Sequence, residues 1–149
     1  MSAGHLDAHL GVVHGPGPWV RVTQQMIQAF ADLTGDHQWI HLDEERCRRE
    51  SPYGTTVAHG MMVQSLVPRL FGGDLPWMAG FSGGVNYGSD KVRFTAPVPS
   101  GSRIRATWSL TEAVENDNGS VRIVQTVTIE VEGSEKPACV AELVGLLFP

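Results

Sequence analysis

Basic residues, cysteines and long apolar runs are all scarce in this chain of 149 residues. Lysine and arginine total 11 against 16 aspartates and glutamates, which gives a formal net charge of −5. Because a phosphate backbone needs a concentrated basic face, this balance disfavours nucleic acid as a main partner. No apolar stretch approaches the roughly 20 residues of a membrane-spanning helix, so no membrane insertion is expected.

The two cysteines, Cys47 and Cys139, form no CxxC motif and do not suggest a disulfide framework. We expect both to be reduced, buried thiols. The N-terminal stretch MSAGHLDAHLGVVHG carries an aspartate and three histidines where a signal peptide would carry basic residues. A cytoplasmic protein is therefore expected.

Hydrophobic residues make up 42% of the chain, which is enough for one domain with its own core. No repeat or linker interrupts the chain, so we predict a single domain over residues 1–149. Residues 1–20 are rich in glycine, proline and histidine, which predicts a loose N-terminal segment. His5 and His9 have the spacing of a helical metal pair, but no third ligand stands at a fixed spacing, and no metal site is predicted there.

Helical patterns dominate the first half of the chain. Thr23 is a good N-cap for a helix over residues 24–34, and a short helix follows over residues 44–50. The stretch GMMVQSLVPRLFGG, beginning at Gly60, is apolar nearly all round and predicts a buried helix. Pro68 is expected to kink or shorten it.

After Gly84 the pattern changes to an alternation of apolar and polar residues, which is typical of strands with one wet face. Gln125 is the exception on the apolar side of its segment. ENDNGS predicts a hairpin turn, and ACVAELVGLLF predicts a central strand. Helices followed by antiparallel strands predict an α+β fold, with a curled sheet wrapped around a central buried helix. The alternating apolar residues are Val92, Phe94, Ala96, Val98, Ile104, Ala106, Trp108, Leu110, Val121, Ile123, Val127, Ile129 and Val131.

Asp36 and His41 stand in the predicted connection between two helices. A continuous helix would point them about 140° apart, and a strand would send them to opposite faces, so they converge only through irregular backbone. Gly35 and the cap residue Asp43 bracket such a stretch. A carboxylate and an imidazole that meet there have the chemistry of a general acid–base pair. The alternative is that Asp36 caps a turn and His41 only packs.

Gly60 opens the predicted buried helix, whose first N–H groups lack partners inside the helix. Neither Ala58 nor His59, the two candidate caps, is a favoured capping residue. Free N–H groups at the positive end of a helix, with no side chain at Gly60, suit a carbonyl oxygen that gains negative charge.

These residues resemble the MaoC-like (R)-specific enoyl-CoA hydratases, a branch of the hot-dog fold. The similar stretches are TGDHQWIHLDEE, VAHGMM and VNYGSDKVRFTAPVPSGSRIRA, within roughly residues 20–148. The family's loop reads Asp-x-Asn-Pro-x-His; Asp36 and His41 match it, whereas Gln38 and Trp39 replace Asn-Pro. That variant is similar to the subgroup named after nodulation protein N. A serine that the family often has in its buried helix falls at Pro68 and is not carried over.

The resemblance implies (R)-specific hydration of a trans-2-enoyl-CoA to the (R)-3-hydroxyacyl-CoA, or the reverse dehydration, in fatty acid metabolism. It implies a homodimer with no metal or redox cofactor, and CoA enters as part of the acyl-CoA substrate. Asp36 and His41 would be the catalytic residues acting on one water, and the Gly60 amide would be the oxyanion donor. Gln38 and His59 are further candidates for contact with the substrate.

Two other functions stay open. Hot-dog proteins also hydrolyse thioesters, which makes an acyl-CoA thioesterase one alternative. A non-catalytic acyl-CoA-binding or partner subunit of a dehydratase is the other. The presence of both Asp36 and His41 favours hydration over each of them.

Neighbouring groups allow further hypotheses. His37 and His59 could join the acid–base pair in a metal site, but no metal-binding template is present and none is predicted. Arg46, Arg48 and Arg49 either contact CoA phosphates or form a solvated helix face among glutamates, which we favour. Trp39 is expected to fix the loop by packing.

Overall fold

A curled antiparallel sheet is the scaffold of the chain, and the computed structural model describes residues 3–149. The strand order is β1-β4-β5-β6-β3, and β2 also pairs with β4. The strands are β1 (Val13–His14), β2 (Val20–Arg21), β3 (Gly83–Arg93), β4 (Arg103–Glu115), β5 (Val121–Val131) and β6 (Cys139–Phe148).

Within residues 3–149, five short α-helices and two 3-10 helices precede the long strands. The predicted first helix is confirmed: the Met26 N–H donates to Thr23 Oγ1 at its start, and Gly35 ends it with a φ of 81°. Only glycine adopts that left-handed conformation at low cost. The α-helices are α1 (Gln24–Thr34), α2 (Trp39–Leu42), α3 (Glu44–Glu50), α4 (Gly60–Ser65) and α5 (Val67–Leu70), and the 3-10 helices are Ala3–His9 and Pro76–Met78.

The predicted central helix is divided in two and is only partly buried. Helix α4 ends at Ser65 and α5 begins at Val67, so the break lies beside Pro68, as its missing N–H predicts. Met62 and Val63 face the core, whereas Met61 is 60% exposed. The expectation of burial all round was therefore wrong, because one side of the helix faces a cavity described below.

The predicted alternation holds along β4 and β5. Ile104, Ala106 and Trp108 are buried on β4, and the residues between them are half-buried. The predicted turn joins these two strands, with the Asn116 N–H donating to the Ser120 carbonyl. Strand β6 lies inside the sheet, between β5 and β3, as predicted. The predicted strand around residues 92–98 instead ends at Arg93, and its continuation is an irregular segment.

The prediction of a loose N-terminal segment over residues 1–20 was wrong for the part that the structure describes. Leu6, in the first 3-10 helix, is fully buried in the core. The Gly17 N–H donates to the Ala106 carbonyl, and β1 pairs with the middle of β4. The segment is held because it covers an apolar stretch of β4 that includes Trp108.

Strand β3 forms one edge of the sheet and pairs with β6 alone among the described residues. It is exposed along most of its length, including Val85 at 52% and Tyr87 at 68%. A long edge strand with exposed apolar side chains is a ready site for pairing with another chain. Over residues 3–149, no helix is long and apolar enough to cross a membrane.

Candidate active site

Asp36 and His41 converge, as the sequence predicts. After Gly35 ends α1, residues 36–38 run without regular structure, and His41 lies in the single turn of α2. Asp36 Oδ2 and His41 Nε2 stand 4.0 Å apart. The carboxylate and the imidazole therefore face each other across a gap that is too wide for a direct hydrogen bond.

His41 is buried, and its tautomer follows from its partner. Its Nδ1 lies 2.7 Å from the carbonyl oxygen of Val57, which can only accept, so Nδ1 carries the proton. Burial lowers the pKa of His41 below its ordinary value of 6.5, and the neighbouring His59 adds to this against the opposing effects of Val57 and Asp36. The ring is therefore neutral at pH 7, with the lone pair of Nε2 facing Asp36.

Asp36 is oriented by its own loop. Its Oδ1 accepts a hydrogen bond from the Gln38 N–H at 3.3 Å, which leaves Oδ2 towards His41. The Asp36 side chain is 52% exposed, so solvent reaches the gap. A single water in a gap of 4.0 Å can donate one hydrogen to Oδ2 and the other to Nε2. The Gln38 side chain is exposed, and only the backbone N–H of Gln38 takes part in this arrangement.

His59 lies against the pair and is 3% exposed. Its ring stacks on that of His41 with centroids 3.7 Å apart, and its Nε2 donates to the Asp36 carbonyl oxygen at 3.0 Å. His59 thus contacts both members of the pair from the protein side. The geometry favours a positioning role over the direct substrate contact expected from the sequence.

Asp36, His41 and His59 also form the type of cluster that could hold a metal ion, with one ligand atom of each within 4.8 Å of the others. The ring planes of the two histidines differ by only 23°. Stacked rings direct their in-plane lone pairs side by side, whereas one ion needs them to converge. His37 does not join the cluster, because its Nε2 pairs with Asp32 on the surface at 2.9 Å.

Gly60 begins α4, and its N-cap residue His59 makes no side-chain capping bond. No residue within 3–149 accepts a hydrogen bond from the Gly60 N–H. A Cβ atom at position 60 would lie 2.8 Å from the ring of Phe94, so glycine is needed for this close approach. The free amide donor expected from the sequence is therefore present, beside an aromatic ring that sequence reasoning missed.

Two cavities adjoin helix α4 and are lined by different residues of it. The histidine cleft, of about 300 Å³, is lined by His41, Gly60 and Phe94 among others. The apolar cavity, of about 430 Å³, begins at Met61 and lies between α4–α5 and strands β3, β5 and β6. Although it is the larger, the apolar cavity does not touch Asp36 or His41. His41 and Gly60 thus share the histidine cleft, and the apolar cavity offers space for a hydrocarbon group.

Comparison with known proteins places the chain in a family. Residues 9–134 match the family described as MaoC like domain. The chain belongs to this MaoC-like family. It is 50% identical to 3-hydroxyacyl-thioester dehydratase Z of Mycobacterium tuberculosis over 95% of this chain and 92% of that protein. It is 35% identical to nodulation protein N of Rhizobium leguminosarum bv. viciae over 99% of this chain and 91% of that protein.

A solved structure agrees with this membership. The (R)-hydratase from A. caviae involved in PHA biosynthesis has a TM-score of 0.75 to this chain at 25% identity, over 94% of this chain and 96% of that one. The predicted family and α+β hot-dog fold are thereby confirmed. The predicted enzyme class is confirmed too: this MaoC-like protein is a hydro-lyase.

A polar network that sequence reasoning missed holds the loop of this MaoC-like domain. The Gln24 side-chain amide donates to the His41 carbonyl at 2.7 Å, and the Thr56 hydroxyl donates to Gln24 Oε1 at 2.6 Å. Thr56 is fully buried. Through the side chain of Gln24, the network joins α1 both to the backbone of His41 and to the segment before α4. No spacing in the sequence signals it, because Gln24 and Thr56 are 32 residues apart.

The arginines of α3 favour the solvated-face interpretation. Arg46 pairs with Glu50 and Arg49 with Glu45, each at 2.8 Å and four residues apart along the helix. The guanidinium of Arg46 also lies 4.1 Å from the ring centre of Trp39. Trp39 thus packs α2 against α3, as expected, and helps to fix the loop that carries the Asp36–His41 pair.

Proposed function

We propose that this MaoC-like hydro-lyase catalyses (R)-specific hydration of trans-2-enoyl-CoA thioesters to (R)-3-hydroxyacyl-CoA, or the reverse dehydration. The observation that carries the proposal is the gap of 4.0 Å between Asp36 Oδ2 and the unprotonated Nε2 of His41. The name of the 50% identical relative, a 3-hydroxyacyl-thioester dehydratase, supports the same substrate class.

The pair would bind and orient the attacking water. Water that donates one hydrogen to Asp36 and one to His41 keeps a lone pair free to attack C3 of the enoyl group. Water is a weak nucleophile, so removal of its proton by a placed base is worth about 10²–10⁴ in rate. Asp36 and His41 form a coupled pair, and we assign the proton transfers to the pair rather than to one member.

The reaction is balanced without an external proton or electron. As the oxygen of water bonds to C3, one O–H bond breaks and the pair takes that proton. The pair returns the proton to C2 when the enolate collapses, and the C=C double bond becomes a single bond. Because hydration is redox-neutral, it needs no redox cofactor, and both proton transfers are assigned to the Asp36–His41 pair.

The Gly60 amide would stabilise the enolate. Attack at C3 moves negative charge to the thioester oxygen, and the free N–H of Gly60 would donate a hydrogen bond to it. One such donor is worth about 10²–10³ in rate. The acyl chain would then extend into the apolar cavity, which Met61 lines.

We further propose that the protein works as a homodimer. No strand within residues 3–149 pairs with the outer side of β3, which carries Val85 and Tyr87, both more than half exposed. Pairing of two such edges would bury apolar surface and satisfy backbone N–H and C=O groups together. Strand β3 also lines the apolar cavity, so pairing would close one wall of it.

Incubation with crotonyl-CoA tests the proposal against the two alternatives. Hydration removes the enoyl ultraviolet absorbance without releasing a thiol, and a stereospecific (R)-3-hydroxyacyl-CoA dehydrogenase oxidises the product. Release of free CoA would instead identify a thioesterase. Tight binding with no change in the substrate would identify a non-catalytic acyl-CoA-binding subunit.

A further inference from the structure

Gln125 is a polar side chain on the inner, apolar face of β5. Its neighbours on that face, Ile123 and Val127, are buried, as the alternation of the strand requires. On the adjoining strands it lies opposite Leu110 of β4 and Leu143 of β6. A leucine or valine at position 125 would complete an apolar wall, so packing within this chain does not explain the amide.

The side-chain amide of Gln125 has a buried oxygen, Oε1, without a hydrogen-bond partner among the described residues. Gln125 also lines the apolar cavity. A buried acceptor without a partner is unfavourable, because it has lost its hydration without replacement. A ligand in the cavity that offers a hydrogen-bonding group removes that cost.

Glycines in the surrounding strands provide the space for such a ligand. Gly88 and Gly145 both line the cavity. A Cβ atom at Gly88 would meet nothing within 4 Å, and one at Gly145 would make only an ordinary contact of 3.4 Å with Ile123. A steric clash therefore does not explain why glycine stands at these two positions. Their combined effect is a cavity of about 430 Å³ that suits a small ligand.

We propose that Gln125 binds a hydroxyl group carried on the acyl chain, so that the enzyme prefers oxygenated enoyl chains to plain alkyl chains. This inference rests on the proposed function, because it takes the apolar cavity as the site of the acyl chain. A hydroxyl both donates and accepts, and therefore fits either orientation of the amide. A plain hydrocarbon leaves the amide unpaired, and sites of this kind reject the analogue that lacks the polar group.

The test compares trans-2-enoyl-CoA substrates in pairs of equal chain length, one plain and one with a terminal hydroxyl, over a series of lengths. Wild type is compared with Gln125→Leu and Gln125→Met, which keep the volume and remove the amide. Thr126→Val is the matched control, because it lies next on the same strand and points to the opposite face. Melting temperatures identify any variant that fails to fold. If one of the two Gln125 replacements does not fold, the other still tests the proposal.

At the chain length that reaches Gln125, we expect wild type to prefer the hydroxylated substrate by about 10- to 100-fold in kcat/KM. The Gln125 variants should lose or invert that preference because their kcat/KM for the plain chain rises. Thr126→Val should keep the preference. Equal use of both substrates by wild type at every length would overturn the proposal. So would variants that keep the preference, or that change the oligomeric state instead of the preference.

Crotonyl-CoA separates this proposal from the proposed function. Its short chain carries no hydroxyl, so its turnover reports the proposed hydration site without a contact between a chain hydroxyl and Gln125. If crotonyl-CoA is hydrated but no chain length shows the preference, the inference about Gln125 fails and the hydratase proposal stands. If no enoyl-CoA of any kind is hydrated, the proposed function itself fails.

Discussion

At the scale of single residues, burial distinguishes two Asp–His pairs that have the same spacing in the sequence. Asp32 and His37 stand five residues apart, as do Asp36 and His41, but they form an exposed ion pair. There Asp32 raises the pKa of His37, whereas burial lowers that of His41. One imidazole is thus favoured as a cation in solvent, and the other is kept neutral beside a water-sized gap.

The lowered pKa of His41 predicts the acid side of the pH profile. Protonation of Nε2 would prevent it from accepting a hydrogen from water, so activity falls as His41 becomes charged. Because burial favours the neutral ring, that fall should occur below the ordinary value of 6.5. The dependence of kcat/KM on pH measures it, with His37→Gln as a variant that should leave the profile unchanged. An acid limb centred at or above 6.5 would contradict this account of His41.

At the scale of elements, the start of α4 combines an amide donor with a close aromatic neighbour. A methyl group at position 60 would lie 2.8 Å from Phe94, so Gly60→Ala must displace the ring or the helix. We expect kcat to fall on the order of 10², the scale of a lost oxyanion donor. Removing the ring in Gly60→Ala with Phe94→Ala should restore part of the loss.

Gly83→Ala is the control for that series, because a Cβ atom there would meet nothing within 4 Å. Steady-state kinetics with crotonyl-CoA gives kcat for each variant. An unchanged kcat in Gly60→Ala would show that the amide needs no open approach. A double variant as slow as Gly60→Ala would show that displacement of Phe94 is not the cause.

Elements with strong local signals were predictable from the sequence, and those set by distant contacts were not. Helix α1 has a Thr23 cap and a Gly35 stop, and both act within a few residues. The segment before Val20 looked loose because its glycines and prolines give no periodic pattern. Leu6 is nevertheless fully buried, in a 3-10 helix that contacts β4 and the second 3-10 helix. Local composition does not report such long-range packing.

The candidate site likewise has features that local sequence predicts and features that depend on distant contacts. Asp36, His41 and Gly60 could be identified because each has a chemical type and a local backbone reason to be there. The stacking of His59 on His41, the Gln24–Thr56 network and the contact of Phe94 with Gly60 join distant parts of the chain. They depend on the closed fold, which no short-range spacing encodes.

At the scale of the whole molecule, the exposed edge of β3 predicts the oligomeric state. Val85→Asp places a charge on that edge, and Val114→Asp places one at a similarly exposed position on β4, which is paired with β5. We expect sedimentation to show a dimer for wild type and Val114→Asp, and a monomer for Val85→Asp, because a charge in a dry edge contact is costly. A monomeric wild type, or a dimeric Val85→Asp, would contradict the proposed dimer.

The two thiols are consistent with the reduced, buried state predicted for them. Both cysteines are free and buried, and burial raises the pKa of Cys47 and brings that of Cys139 to about 11. Thiolates are the reactive form, so neither residue is suited to nucleophilic chemistry near neutral pH. The proposed mechanism accordingly uses the Asp36–His41 pair and no thiol. The cytoplasmic location stays a prediction.

The most direct measurement of the central claim is crotonyl-CoA hydration by two matched pairs of variants. Asp36→Asn and His41→Gln remove the proposed acid–base groups, and Asp32→Asn and His37→Gln make the same changes in the surface pair. We predict losses in kcat of about 10²–10⁴ for the first two, with melting temperatures that show a folded protein, and near-normal kcat for the second two. Near-normal turnover by a folded Asp36→Asn or His41→Gln enzyme would contradict the account.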